Sequence, residues 1–185
     1  KKLMFEMNDD EYETLEKAYL EESPIISTYG RITCISFGYL DNGIERVSSF
    51  YGDDEKDIVE KFNNLLKKIE TKNFKLGGYR ILYFDIPWIL HKLHKYGIKP
   101  VNIITLHNKK PWETRIVDIS DDWKIRFAYT SSFDEVTYEL GIESPKDNMN
   151  GSDVHVAFWN GKVEEVKTYC EKDVTSCIRV AQKIY

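Results

Sequence analysis

KLGGYRILYFDIPWILHKLHKYG, residues 75–97, reads as a strand running directly into a helix. Lys75–Phe84 has the apolar and aromatic content of a strand. Pro87 then falls in the first turn of a helix reaching about Tyr96, and Gly97 closes it. A strand that feeds a helix is the start of a crossover unit, so this stretch places the chain among α/β proteins. Upstream, Asp53–Thr71 carries apolar residues at Ile58, Val59, Phe62, Leu65, Leu66 and Ile69, a 3.6-residue period that predicts a second helix. Asp53, Asp54 and Glu55 suit its N-terminus, and Lys67 and Lys68 its C-terminus.

Further out, Arg31–Leu40 and Ile44–Tyr51 flank Asp41-Asn42-Gly43 and predict a hairpin. Leu3–Met7 can form a first strand, followed by a polar segment, Asp9–Ser27, with helical character around Tyr12–Leu20. Downstream, Arg115–Ile119 reads as a short strand. Ser132–Leu140 reads as a helix with a Ser132/Glu135 capping box and Gly141 at its end. Glu143–Trp159 looks like a loop, and the spacing is helical again from about Val163. There are no repeats or linkers, so residues 1–185 are expected to form one domain. Its core would be a mixed sheet of about five strands, three of them antiparallel, flanked by helices.

Lys and Arg number 26 against 31 Asp and Glu, a formal charge of −5. Such a balance argues against a protein that coats duplex nucleic acid, yet it leaves room for an enzyme gripping one strand end. Cys34, Cys170 and Cys177 form no Cys-x-x-Cys pair, and their odd number argues against a disulfide framework. Cys34, in an apolar strand, is most simply a core residue. No apolar run approaches the ~18–20 residues of a membrane span, and no secretory leader is visible. A cytoplasmic protein with no membrane partner is therefore expected.

Chemistry is concentrated in a few acids. Tyr169 and Asp173 stand four apart in Val166–Val174, so a helix puts phenol and carboxylate on one face. Phe84-Asp85-Ile86-Pro87 offers a second acid, and Glu6-Met7-Asn8 lies on the first apolar strand. A carboxylate that can hold a metal beside a phenol that can orient water suits attack on a phosphodiester.

These segments are collinear with others: Arg31-Ile-Thr-Cys-Ile-Ser-Phe-Gly-Tyr39, Lys110-Pro-Trp-Glu113, Ile116-Val-Asp118, Leu140-Gly-Ile-Glu-Ser-Pro-Lys146 and Asn150-Gly-Ser152. Together they resemble the DEDD 3′–5′ exonucleases of the ribonuclease H-like fold, and more narrowly the predicted exonucleases related to the proofreading domain of B-family DNA polymerases. The resemblance implies a ribonuclease H-like mixed five-stranded sheet and a two-metal site for Mg²⁺ or Mn²⁺. It implies Asp85 and Asp173 as metal ligands and Tyr169 as the residue that orients the attacking water. Thr168 stands where a sister group carries histidine, so the tyrosine subclass is the match.

The first motif departs from the family pattern. Relatives carry Asp-x-Glu where this chain has Glu6-Met7-Asn8. Glu6 keeps its charge but displaces the carboxylate by about 1.5 Å, while Asn8 offers only a neutral oxygen. Mg²⁺, with bonds of ~2.0–2.1 Å in a strict octahedron, tolerates that less well than Mn²⁺. The site would then hold two ions, one or none, with Glu6, Asp85 and Asp173 as its anionic ligands. Arg80 stands where relatives usually carry Asn; its cation could hold a phosphate or repel a metal.

The leading reading is a metal-dependent 3′–5′ exonuclease acting on single-stranded nucleic-acid ends, DNA favoured over RNA. The alternative is a catalytically degenerate exonuclease fold serving as a nucleic-acid-binding or protein-docking module. Arg80 and Trp88 are candidate nucleic-acid contacts, with Trp112 a further stacking candidate, although a Trp among apolar neighbours is more often core. Asp118 is expected to cap a neighbouring segment. Asp153 reads as a loop residue. His91, His94, Lys92 and Lys95 are expected on a solvent face, where Lys92, Lys95, Lys99, Lys109 and Lys110 could also rim a strand-binding groove.

Overall fold

Asp54 accepts a hydrogen bond from the Asp57 N–H at 3.0 Å and so caps the first helix, α1, Glu55–Glu70. The computed structural model describes residues 26–110, 113–125, 129–144 and 149–185. The expected Leu3–Met7 strand, the Tyr12–Leu20 helix, Glu6, Asn8 and Trp112 lie outside them. The chain divides into two units, residues 1–31 and 32–185. Of the first unit a single turn is described, in which the Tyr29 and Gly30 N–H groups both donate to the Ile26 carbonyl.

In the second unit, β1 (Cys34–Asp41) and β2 (Ile44–Tyr51) form the expected antiparallel hairpin, with Cys34 opposite Tyr51 and Asp41 opposite Ile44. Asn42 and Gly43 both have positive φ, 52° and 82°, the conformation a two-residue hairpin turn needs. The hairpin is covered on both faces. Phe37 stacks on Phe50 at 5.1 Å and on Phe62 of α1 at 6.1 Å. Its other face, carrying Cys34, Ser36 and Gly38, packs on the last helix, α6 (Val163–Ile184). The strand sorts its side chains by face, with Phe37 toward α1 and Ser36 and Gly38 toward α6.

The second ladder is parallel: β3 (Leu76–Gly78) pairs with β4 (Ile116–Asp118), Leu76 beside Ile116 and Gly78 beside Asp118. Among the described residues there are thus four strands in two separate pairs, one antiparallel and one parallel. Mixed α/β architecture is observed, and three antiparallel strands are not found among these residues. β3 is also far shorter than the expected Lys75–Phe84. Arg80 takes a left-handed backbone (φ 54°) and the chain turns there instead of continuing extended. The turn leads into α2, Asp85–Lys95, which ends just before Gly97 with its φ of 66°.

Two further corrections concern the second half. α3 (Ile119–Lys124) follows β4 without a break, because Asp118 ends the strand and caps the helix. Glu143–Trp159 is not all loop: it holds a 3₁₀ turn, Gly151–Asp153, and α5, Val154–Trp159. Six residues are too few to show a helical period, though Ala157 and Phe158 are buried. Between α3 and α5 lies α4, Phe133–Glu139, with the expected Ser132/Glu135 capping box intact.

The main core joins α1, α2 and the hairpin through Ile58, Val59, Phe62, Leu66, Ile86 and Leu93. A smaller core gathers Ile119, Val136, Ile142 and Val180 beneath α6. Lys92 corrects another expectation, since its residue is only 2% exposed. Its ammonium lies 3.5 Å from Oε1 of Glu55, so it is an interior charge and not part of a solvent-facing basic rim. His91, His94 and Lys95 do lie on the exposed side of α2. No described helix is long and apolar enough to cross a membrane.

Candidate active site

Gly78 and Asp118 are register partners, and that pairing organises the turn ahead of α2. From the end of β4 the buried Asp118 carboxylate reaches across the ladder. Its Oδ1 accepts from the Arg80 N–H at 2.9 Å and its Oδ2 from the Leu82 N–H at 3.0 Å. Oδ1 also takes the Ser120 N–H at 3.0 Å and the Ser120 hydroxyl at 2.7 Å. Four donors on one buried carboxylate hold residues 80–82 in place, so Asp118 does the capping and orienting work expected of it. A Cβ on Gly78 would meet the Ile81 side chain at 2.9 Å, which is why the turn needs glycine there. Within the turn, the Arg80 carbonyl accepts from Tyr83 and Phe84, and Ile81 accepts from Ile86.

The turn delivers Asp85 as the first residue of α2. Asp85 has protein packed around it while part of its surface stays open to solvent. Burial pushes its carboxyl up to about 6, against the pull of its own N–H, and the negative charges of Asp118 and Asp173 push in the same direction. Three acids from the β3–α2 turn, β4 and α6 therefore share one field.

On α6 the Tyr169 phenol hydrogen-bonds the Asp173 carboxylate one turn on, as the four-residue spacing predicts. Burial raises the phenol's pKa first, followed by the charges of Asp173, Cys170 and Asp134. Tyr169 thus stays a neutral phenol. With its O–H donated toward Asp173, its oxygen keeps lone pairs for another donor. The structure accordingly brings Asp85, Asp173 and Tyr169 into one electrostatic neighbourhood, whereas Glu6 and Asn8 fall outside the described residues.

Arg80 is exposed, and its left-handed backbone is a conformation that Asn adopts far more readily than Arg. Trp88 is half-buried at the edge of the main core. It stacks on the exposed Phe84 at 5.6 Å, and the Lys92 ammonium lies 5.5 Å from its ring centre. Sequence reasoning passed over Asp134 and Cys170 as neighbours of Tyr169. Cys170, next to Tyr169 on a helix facing a strand, could have been suspected from helical spacing; Asp134 arrives from α4 by tertiary packing alone. Asp153 sits in the 3₁₀ turn and accepts the Asn150 N–H at 2.9 Å.

The donor set suits a hard divalent cation: carboxylate oxygens, crowded enough that one of them titrates near neutrality. Among the described residues no three His, Cys, Asp or Glu side chains close into a metal cage. An open hollow of about 420 Å³, lined by Gly141, Ile142, Glu143, Arg179, Gln182 and Lys183, lies toward the C-terminal end of α6 and contains none of these acids.

Residues 25–180 match a family described as predicted 3′–5′ exonucleases related to the exonuclease domain of PolB. This chain belongs to that family. It is also 21% identical over 155 residues to the "Putative DNA polymerase 060R" of Frog virus 3 (isolate Goorha). The alignment covers 71% of this chain and 15% of the relative, so the chain spans a small part of that protein's length.

Proposed function

We propose that the chain is a metal-dependent 3′–5′ exonuclease that hydrolyses phosphodiesters at single-stranded nucleic-acid 3′ ends. The observation that carries this reading is the shared field of Asp85, Asp118 and Asp173, with Tyr169 hydrogen-bonded to Asp173. In this reading residues 1–185 form one ribonuclease H-like domain around a mixed five-stranded sheet. Asp85 and Asp173 supply oxygen ligands for Mg²⁺ or Mn²⁺. Glu6, and Asn8 as a neutral donor, enter the proposal on the resemblance of their sequence alone.

A bound divalent cation would supply charge neutralisation at the phosphodiester and a more acidic water. The chain's own groups do the rest. Asp118 keeps the β3–α2 turn, and so Asp85, in position. Tyr169 donates its O–H to Asp173 and accepts from a water, which it orients without acting as a base. Arg80, exposed beside the turn, supplies a cation for a phosphate of the strand, and Trp88 with Phe84 an aromatic surface for a base.

The test is digestion of a 5′-labelled single-stranded oligonucleotide with Mn²⁺ and then Mg²⁺, beside Asp173→Ala. A ladder shortening from the 3′ end and absent in the variant is the expected result. Folded protein that gives no ladder with either ion would leave a strand-binding module in place of an enzyme. Melting with Mn²⁺ reports separately on the metal shell: saturation at about 100 times Kd adds roughly 2.7 kcal/mol of stability.

A further inference from the structure

α6 lies unusually close to the hairpin. On β1, Cys34, Ser36 and Gly38 alternate onto one face, and on α6, Cys170, Val174 and Ile178 are spaced four apart on one face. At one end of this seam, a Cβ built on Gly38 would lie 3.0 Å from both Val174 Cγ1 and Ile178 Cδ1. At the other end, Ser49 donates to Glu171 Oε1 at 2.8 Å, fixing the adjoining turn of the helix on the sheet. Between these anchors Cys34 and Cys170 face each other across the seam, and each is the strongest influence on the other's thiol.

Cys34 is further polarised by its own strand. Its Sγ is 3.5 Å from Ser36 Oγ, which in turn is 2.8 Å from Ser49 Oγ. The Cys170 thiol, then these hydroxyls, lower the Cys34 pKa against the opposing effect of burial. Neither residue is fully buried. Cys177 is set apart, packed with the smaller core.

We propose that Cys34 and Cys170 form a modification site at which hydrogen peroxide makes a reversible disulfide, fastening α6 to β1 beside Tyr169. The Cys34 thiolate attacks peroxide; its O–O bond breaks, sulfur is oxidised to the sulfenic acid, and the departing hydroxide takes up a proton to leave as water. Cys170 then loses its proton and attacks the Cys34 sulfur. The S–S bond forms, the S–O bond breaks, and hydroxide leaves as a second water with that proton. The bond then holds the two sulfurs at about 2.05 Å. The site does not depend on the nuclease reading, since it uses neither metal nor nucleic acid.

The experiment is peptide mapping of the full chain under non-reducing conditions after treatment with hydrogen peroxide. The expected product is a Cys34–Cys170 cross-linked peptide, with an intact mass lower by about 2 Da. Thiols open to a titrant in denaturant fall from three to one and return to three with dithiothreitol. Cys177→Ser should still form the link, whereas Cys170→Ser should leave Cys34 as a sulfenic acid that dimedone traps. A bridge through Cys177, a link between two chains, or Cys34 recovered only as thiol or sulfinic acid would overturn the proposal. The mapping on the unsubstituted chain decides the matter even if a variant fails to fold.

Discussion

Two helices of this chain begin on an acid, and the two acids are treated in opposite ways. Glu55 opens α1 and Asp85 opens α2, so each enjoys the same helix N-terminus. Around Glu55 every lone pair is answered. Oε1 accepts the Ile32 N–H at 2.7 Å with Lys92 at 3.5 Å, and Oε2 accepts Lys95 at 2.8 Å and the Tyr96 hydroxyl at 2.6 Å. Burial pushes Glu55 up, but Lys95, Tyr96, Ile32 and Lys92 outweigh it and the net shift is downward. Asp85 has like charges for neighbours and moves up to about 6. A carboxylate completed by its own protein holds the fold together; one left facing other carboxylates is arranged for something the protein does not itself provide.

The largest effect that would sharpen this contrast is on activity. Under the proposed function, in which both acids hold metal, Asp85→Asn or Asp173→Ala should lower exonuclease turnover by roughly 10³-fold, because a metal ligand there would supply several kcal/mol of transition-state stabilisation. Without metal, Asp85→Asn should melt no lower than the unsubstituted chain, because it removes like-charge repulsion. A clear drop in melting temperature there would break the comparison.

Glu55→Ala should behave in the reverse manner. It strands the buried Lys92 ammonium, and losing one partner of a buried pair costs about 3–5 kcal/mol, read by urea denaturation. Its pH signature follows from the direction of the shift. A carboxylate whose folded pKa lies below its usual value of 4.5 contributes stability in full above that value. The contribution disappears as pH falls through the lower folded value. Acid titration of stability should therefore be steeper below about pH 4.5 in the unsubstituted chain than in Glu55→Gln.

Next in size is Gly38→Ala. Its Cβ would sit 2.8 Å from the Arg46 carbonyl oxygen and against α6, and overpacking of that kind costs about 1–3 kcal/mol. Smallest is Arg179→Ala. Its guanidinium grips Glu45 through two bonds, 2.8 and 3.1 Å, but at an exposed surface. Such pairs contribute roughly 0.2–1 kcal/mol, and a larger loss would mean that this edge of the hairpin matters more than its exposure suggests.

Much of the fold was legible along the chain because its signals are local. Ile58, Val59, Phe62 and Leu66 announce α1 by period, Asn42-Gly43 announces the hairpin turn, and Ser132 with Glu135 announces α4. Tyr169 and Asp173 were legible for the same reason, four residues on one helix. β3 was overread because Tyr79–Phe84 is apolar enough for a strand, while the groups that bend it, the Asp118 oxygens, lie 36 and 38 residues away in sequence.

By itself, the sequence determined α1, α2, α4 and α6, the hairpin and the family to which the chain belongs, since propensity, capping and motif order act over a few residues. Only the tertiary structure decided what each charge and sulfur would face. It turned Lys92 inward to Glu55, set Asp85 among acids, and laid Cys34 against Cys170. Electrostatic fields and thiol contacts depend on distance through space, and in this chain the deciding partners come from different elements.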